Sequence, residues 1–316
     1  MPHKTLVTGA TGFAGSHLLD RLSGRTKLTA WQRPGGRARP ATIDVEWKAV
    51  DLLDRDSVTR AIAKTKPSRI YHLAGAPQVD TSWTSVVPHL SANVLGTHHL
   101  LDAVRRTGRP CRVLVVTSAQ VYQSGGHEPL TEDSPLLPSN PYGLSKLAQD
   151  DLALRVHAED GLDIVVARPF NHAGPRQSRA FAISSFARQI ALAEAGAVAP
   201  EIEVGNLDAR RDISDVRDVV EAYEHLMETA TAGRPYNVAS GRAYRVGDLL
   251  DELIRAAKTP VRVLVDQARL RPNDIPVIVG DATRARTEVA WQPHISIEQT
   301  LADTLDWWRA ELPKTA

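Results

Sequence analysis

The chain contains one cysteine, Cys111, in 316 residues, which excludes an intrachain disulfide framework and a cysteine-built metal site. Cys111 stands just before an apolar run and reads as an inert, buried thiol. A net charge of either sign is also missing. Lys and Arg number 38, Asp and Glu 37, for a net +1. No global field then draws the protein to nucleic acid or to an anionic membrane, and arginine clusters must be read as local sites. No apolar run approaches the roughly 18 residues of a membrane span. The opening Met-Pro-His-Lys-Thr-Leu-Val-Thr-Gly leads directly into a strand and lacks the plan of a signal peptide. A reducing cytoplasm is therefore the expected location. Internal repeats and low-complexity tracts are absent. The length suits a large domain plus a smaller one.

What is present begins with Thr5-Leu6-Val7-Thr8, a short apolar strand, followed by Gly9-Ala10-Thr11-Gly12-Phe13-Ala14-Gly15 and a helix predicted over Ser16 to Leu22. Strand, glycine turn and helix start a dinucleotide site. Glycines allow the tight turn and a close approach to pyrophosphate, and the helix N-terminus offers free N–H groups. The spacing, G-x-x-G-x-x-G, is one residue longer than the common fingerprint. The second strand, Lys27 to Trp31, lacks the acidic residue that would bind a ribose 2′-hydroxyl, with no acid before Asp44. Arg33 stands there instead and can pair with a 2′-phosphate, which predicts NADP(H) over NAD(H); Arg37 and Arg39 are rival partners.

Val45 to Val50 reads as a third strand ending at Asp51-Leu52, and Ser57 to Lys64 as a helix. The fourth strand, Arg69 to Ala76, closes in the small residues Ala74, Gly75 and Ala76, which let a flat ligand lie close; His72 is read as a sheet residue. Helical periodicity runs from Val86 to Arg106 through Asn93 and Gly96. His98-His99 lacks the i, i+4 spacing of a metal-binding helix, so no metal is assigned. The fifth strand, Arg112 to Ser118, is nearly all apolar and ends in hydroxyls, Thr117 and Ser118, at the end where open α/β sheets meet ligands. A proline-rich loop carrying Glu128 and Glu132, both read as solvated, leads to Asn140-Pro141-Tyr142-Gly143-Leu144-Ser145-Lys146. Asn140 caps and Pro141 opens a helix running to Glu159. Tyr142 and Lys146 then share one face, one turn apart. An ammonium there favours the phenolate and is expected to bring the tyrosine's proton exchange nearer neutral pH. Leu162 to Ala167 is a sixth strand.

The glycine triplet, Ser118, Tyr142-x-x-x-Lys146 and Arg168-Pro169-Phe170-Asn171 together resemble the extended short-chain dehydrogenase/reductase family, over nearly the whole chain. Phe170 to Gln177 and Val204 to Asp212 are similar to the branch holding GDP-mannose 4,6-dehydratases and GDP-4-keto-6-deoxy-mannose reductases. Arg271-Pro272-Asn273-Asp274 is similar to that branch's sugar-nucleotide-binding element.

The resemblance implies an α/β fold: a Rossmann-type doubly wound parallel sheet with a smaller, discontinuous α/β C-terminal substrate lobe. Residues 1–171 and 213–240 would form the nucleotide domain, and 172–212 and 241–316 the lobe. It implies Ser118, Tyr142 and Lys146 as catalytic residues. The cofactor would lie against Gly9, Thr11, Gly12, Phe13, Ala14, Gly15, Arg33, Asp51, Leu52, Leu73, Ala74, Ala76, Asn93, Thr117, Tyr142, Lys146, Pro169, Asn171 and His172. The substrate would lie against Ser118, Gln120, Tyr142, Asn171, Arg211, Arg271 and Asp274. Phe181 to Ala193 would sit near the base, and Trp291, Trp307 and Trp308 in the lobe core. A homodimer through helices 86–106 and 142–159, paired as a four-helix bundle, is implied as well.

Dehydration across C5–C6 needs a base, and in the related dehydratases this is a glutamate two residues beyond the strand-ending hydroxyl. Here that position is Gln120, a neutral amide, which does not abstract the proton. Two reactions need only Ser, Tyr and Lys: reduction of a C4 ketone, GDP-4-keto-6-deoxy-D-mannose to GDP-D-rhamnose by implication, and nucleotide-sugar 4-epimerisation. An epimerase regenerates its cofactor, whereas a reductase consumes hydride and draws on reduced NADP, so Arg33 favours the reductase. A non-catalytic NADP-binding regulator is the remaining class; such relatives tend to lose the tyrosine or the lysine, and both are here.

Overall fold

In a computed structural model, residues 3–36, 43–76, 86–123, 126, 128–269 and 275–312 are described. The strands β1 (Lys4–Thr8), β2 (Lys27–Gln32), β3 (Glu46–Ala49), β4 (Arg69–His72), β5 (Arg112–Val116) and β6 (Asp163–Pro169) join the strand Pro235–Val238 in one seven-stranded sheet. The order is Pro235–Val238, β6, β5, β4, β1, β2, β3, and every pairing is parallel. Parallel strands require crossovers, and the crossovers are helices that cover both faces. Side chains alternate along each strand. Val7, Tyr71 and Leu114 therefore meet the helices Phe13–Leu22 and Val216–Thr229 on one face. Leu6, Ile70 and Val113 meet Arg55–Thr65, Gly96–Arg106 and Pro141–Asp160 on the other. The fold is a Rossmann-type α/β arrangement.

The remaining strands make smaller sheets. Arg210–Asp215 is flanked by Ala243–Arg245, Val277–Ile278 and Asn171–Ala173, while Glu201–Val204 pairs with Arg262–Val265. Helices Ala182–Glu194, Val246–Arg255 and Ile297–Glu311 pack around Phe186, Ile190, Leu250 and Leu301 in a separate apolar cluster.

One expectation is borne out with a refinement, and two need correction. The periodic stretch Val86 to Arg106 is one helical path, but Ser91–Leu95 forms a π-helical turn between α-helical pieces. Asn93, fully buried, sits inside that turn and is held from three sides, which accounts for the extra residue in the ladder. Trp291 packs not with the C-terminal helices but into the main-sheet core, among Tyr223, Leu226, Ala285 and Val289, and its indole N–H donates to Asp218 O at 3.0 Å. Glu132 is not a solvated loop charge. It is buried, and its carboxylate accepts from Asn237 N at 2.8 Å with Arg284 3.6 Å away.

Candidate active site

Each glycine of the first turn has its own reason. Gly9 has φ +68°, and a Cβ there would lie 2.7 Å from Ala74 N. The turn thus rests on the small end of β4. Gly12 caps the helix Phe13–Leu22 in an extended conformation with no side-chain cap, leaving helix-start N–H groups for an anion. A Cβ on Gly15 would meet Gly9 O at 2.2 Å, so helix and turn touch backbone to backbone. Thr11 is exposed and Ala14 half-buried beside them. Phe13 stacks on His172, with ring centroids 5.6 Å apart and nearly parallel planes, and carries His17 on its edge. The cradle fits a dinucleotide: Gly9 and Gly15 let strand end, turn and helix pack backbone to backbone, and the uncapped helix start leaves N–H groups for a pyrophosphate.

Around this turn, Asp51 is exposed and its carboxylate accepts from Leu53 N at 2.9 Å, while Leu52 lies under Gly96. Leu73, Ala74 and Ala76 follow β4 and are half-buried. Arg33 stands exposed after β2. Asn93 spends its amide inside the protein, accepting from Ala76 N at 2.9 Å and donating to Ser145 Oγ at 2.8 Å. Thr117 is buried, its hydroxyl directed at Ala167 O and Asp150. Pro169 ends β6, Asn171 is exposed just beyond, and His172 Nδ1 faces Phe170 O at 3.1 Å.

The helix Pro141–Asp160 begins as its sequence dictates. Asn140 Oδ1 accepts from Gly143 N at 2.8 Å, and Pro141 fills the first turn. The same Asn140 donates from Nδ2 to Gln120 Oε1 at 3.1 Å, which fixes the Gln120 amide and leaves its N–H₂ end as the donor for a ligand. A Cβ on Gly143 would strike Gln120 O at 2.4 Å, so the helix start and the Gln120 turn require this glycine. Tyr142 hydrogen-bonds Ser118, and Ser118 Oγ accepts from Gln120 N at 3.2 Å. Ser118, Gln120, Tyr142 and Lys146 are thus drawn together at the end of β5.

The protonation of Tyr142 is not as expected. Burial pushes the phenol up to about 12, and only its bond to Ser118 works the other way. Removing the phenolate from water is the dominant cause. Lys146 donates to Val116 O at 3.0 Å and Gln149 Oε1 at 2.9 Å, and burial lowers its pKa to about 7 against the pull of Asp150.

A second buried network anchors the helix. Arg168 grips Asp150 at 2.8 Å, both nearly inaccessible, and donates to Tyr122 Oη at 3.0 Å. Tyr122 Oη donates on to Asn237 Oδ1 at 2.7 Å. Sequence reading missed Asp150, although its place one turn beyond Lys146 on the same face was the available signal. It also missed Asp212, fully buried, which accepts from Ser240 N, Ser240 Oγ, Gly241 N and Gly280 N.

Of the arginines expected to meet the substrate, Arg211 lies on Arg210–Asp215 and donates to Ile275 O at 2.7 Å. Arg271 and Asp274 lie outside the described residues, as do Arg37 and Arg39. His99 of the His98-His99 pair binds Leu52 O at 2.8 Å.

A family profile described as GDP-mannose 4,6 dehydratase matches residues 6–304. The chain belongs to this family. It is 34% identical over 314 residues to a GDP-6-deoxy-D-mannose reductase of Pseudomonas aeruginosa, covering 99% of each chain. Among solved structures of relatives of the GDP-mannose 4,6-dehydratase family, that of RMD from Pseudomonas aeruginosa complexed with NADPH superposes with TM-score 0.85 at 32% identity, over 97% of this chain and 99% of that one. MoeE5 in complex with UDP-glucuronic acid and NAD gives TM-score 0.85 at 29% identity, over 97% and 99%.

Proposed function

We propose that this protein uses NADPH to reduce the C4 ketone of a nucleotide-activated 4-keto-6-deoxy-hexose, GDP-4-keto-6-deoxy-D-mannose to GDP-D-rhamnose. The observation that carries the reading is Gln120. Its backbone N–H donates to Ser118 Oγ and its side-chain amide, locked by Asn140, stands in the sequence position where dehydration would need a carboxylate base. The full-length similarity to a GDP-6-deoxy-D-mannose reductase supports the same choice.

When bound, the dinucleotide would supply the hydride. The chain's own residues do the rest. Ser118 donates a hydrogen bond to the ketone oxygen and stabilises the charge that grows there. Tyr142, held protonated by burial, gives its proton to the new alkoxide. Lys146 holds the cofactor ribose and sustains the tyrosine's proton supply. Arg33, exposed where an acid would favour NAD, meets the 2′-phosphate. Arg211, Arg271, Asn171 and Asp274 hold the sugar nucleotide between a nucleotide domain (1–171, 213–240) and a substrate lobe (172–212, 241–316). Val87, Leu95 and Leu144 expose 71%, 44% and 51% of their surface on helices that pack together, and they support a homodimer through a four-helix bundle.

The test is to give the purified protein GDP-4-keto-6-deoxy-mannose with NADPH and follow nicotinamide absorbance. Stoichiometric loss of NADPH is expected. An altered sugar without that loss would make the protein an epimerase.

A further inference from the structure

The buried chain of hydrogen bonds behind Lys146 has a single consistent set of proton positions. Val116 O and Gln149 Oε1 can only accept, so Lys146 donates to both. Gln149 Nε2 donates to Thr97 Oγ1 at 2.9 Å. Thr97 has one hydrogen and gives it to Asn93 O at 2.6 Å. Its oxygen must therefore receive the contact from His72 Nε2 at 2.9 Å, which places the His72 proton on Nε2. Nδ1 is then the acceptor and takes the hydrogen of Thr8 Oγ1 at 2.8 Å, while Thr8 Oγ1 receives Ala74 N at 3.3 Å. Thr8, His72, Thr97, Gln149 and Lys146 are all buried. A flipped Gln149 amide would set its N–H₂ against the ammonium and face its oxygen to a hydroxyl whose hydrogen is committed elsewhere.

We propose that Gln149 is a positioning residue that, with the carbonyl of Val116, fixes two of the three directions of the Lys146 amine, so that the proton exchanged in turnover occupies the third. An ammonium has three N–H bonds, and a neutral amine has two and a lone pair. The two hydrogens facing Val116 and Gln149 are the same in both charge states. Only the third position switches between donor and acceptor, and the lysine changes charge without turning. Thr97 and His72 hold Gln149 in the one orientation that permits this. The space is tight: a Cβ on Gly75 would lie 2.5 Å from Asn93 Oδ1 and 3.4 Å from Lys146 Nζ.

Among the described residues, the charged and titratable groups facing the lysine are few. Asp150, one turn on, raises its proton affinity and is itself paired with Arg168. His72, on β4, is kept neutral by burial and by the lysine's charge. Tyr142 stands one turn back. Asn93 and Thr97 on the neighbouring helix carry no charge, and β5 contributes the Val116 carbonyl.

The inference rests on the reading of Lys146 as the lysine of the reducing site, and its test separates the two. NADP⁺ binding to the full-length protein is titrated against pH, with Lys146→Met identifying the limb that belongs to the lysine. Gln149→Glu adds a charge that favours the ammonium and moves the midpoint up by about one pH unit, while Gln149→Leu removes an acceptor and moves it down by about the same. Thr97→Val, which keeps the shape and loses only the hydroxyl, moves it down by less. The limb of single-turnover NADPH oxidation follows the same shifts. Shifts of one sign for both Gln149 variants, or an unmoved midpoint in Thr97→Val and the Gln149 variants at unchanged thermal stability, would overturn the proposal. The binding titration contains no sugar, so a protein that titrates as expected yet reduces no ketone counts against the reaction and not against Gln149.

Discussion

The Tyr142 helix and the proposed substrate side at Asn171 and Arg211 are built on opposite plans. Around Tyr142 and Lys146 the polar groups are buried and their partners come from β4, β5, β6 and the helix Gly96–Arg106. On the proposed substrate side, Asn171 is exposed and Arg211 half-buried. The difference teaches where accuracy is needed. Proton transfer tolerates little displacement, so the catalytic face is over-determined. A diphosphate is gripped by charge, which acts over a longer range and accepts softer geometry.

The sharpest break in this comparison is at the reacting atom itself. Tyr142→Phe removes the proposed proton donor but keeps the ring. Turnover is expected to fall by about 10²–10⁴-fold with NADPH affinity nearly unchanged, read by steady-state rates beside equilibrium binding. Next comes the anchor. Asp150→Ala strands Arg168 in the core and should cost about 3–5 kcal/mol in urea unfolding. An equal change at exposed Asp51 should cost far less.

Acid probes the border between the two regions, where His17 joins the cofactor helix to the loop after Asn171–Ala173. His17 Nε2 donates to Pro175 O at 2.8 Å, and Nδ1 accepts from Arg176, itself paired with Asp20 at 2.6 Å. Burial lowers its pKa to about 4. The unfolded chain therefore binds more protons between about pH 6.5 and pH 4. The contribution is whole above that window and is lost as pH falls through it, by at most about 3 kcal/mol. His17→Gln, which keeps a donor for Pro175, should flatten the pH dependence of urea stability across this window. The smallest effect belongs to the exposed side: Arg33→Ala should cut the preference for NADPH over NADH by about tenfold, compared by binding of each, without altering stability.

Much of the first region was legible in the sequence because its logic is local. Gly9, Gly12 and Gly15 announce a strand, turn and helix by spacing alone. Asn140-Pro141 marks a helix start, and the four-residue step from Tyr142 to Lys146 fixes their common face. The acid-base state of Tyr142 was not legible, since burial depends on what the fold brings over it, and burial outweighs the phenol's bond to Ser118. Nor was the Lys146–Gln149–Thr97–His72 chain, whose members lie up to 77 positions from one another and meet only when β4 and two helices pack. Trp291 misled for a related reason. It is near the C-terminus in sequence, but its indole finds Asp218 and the main-sheet core.

The measurement closest to the central claim follows the hydride. With NADPH deuterated at the transferring position and GDP-4-keto-6-deoxy-mannose as substrate, deuterium should appear at C4 of the product, one for each NADP⁺ formed, and Tyr142→Phe should slow both together. A product altered at C4 that carries no label, with the NADPH pool intact, would contradict the account.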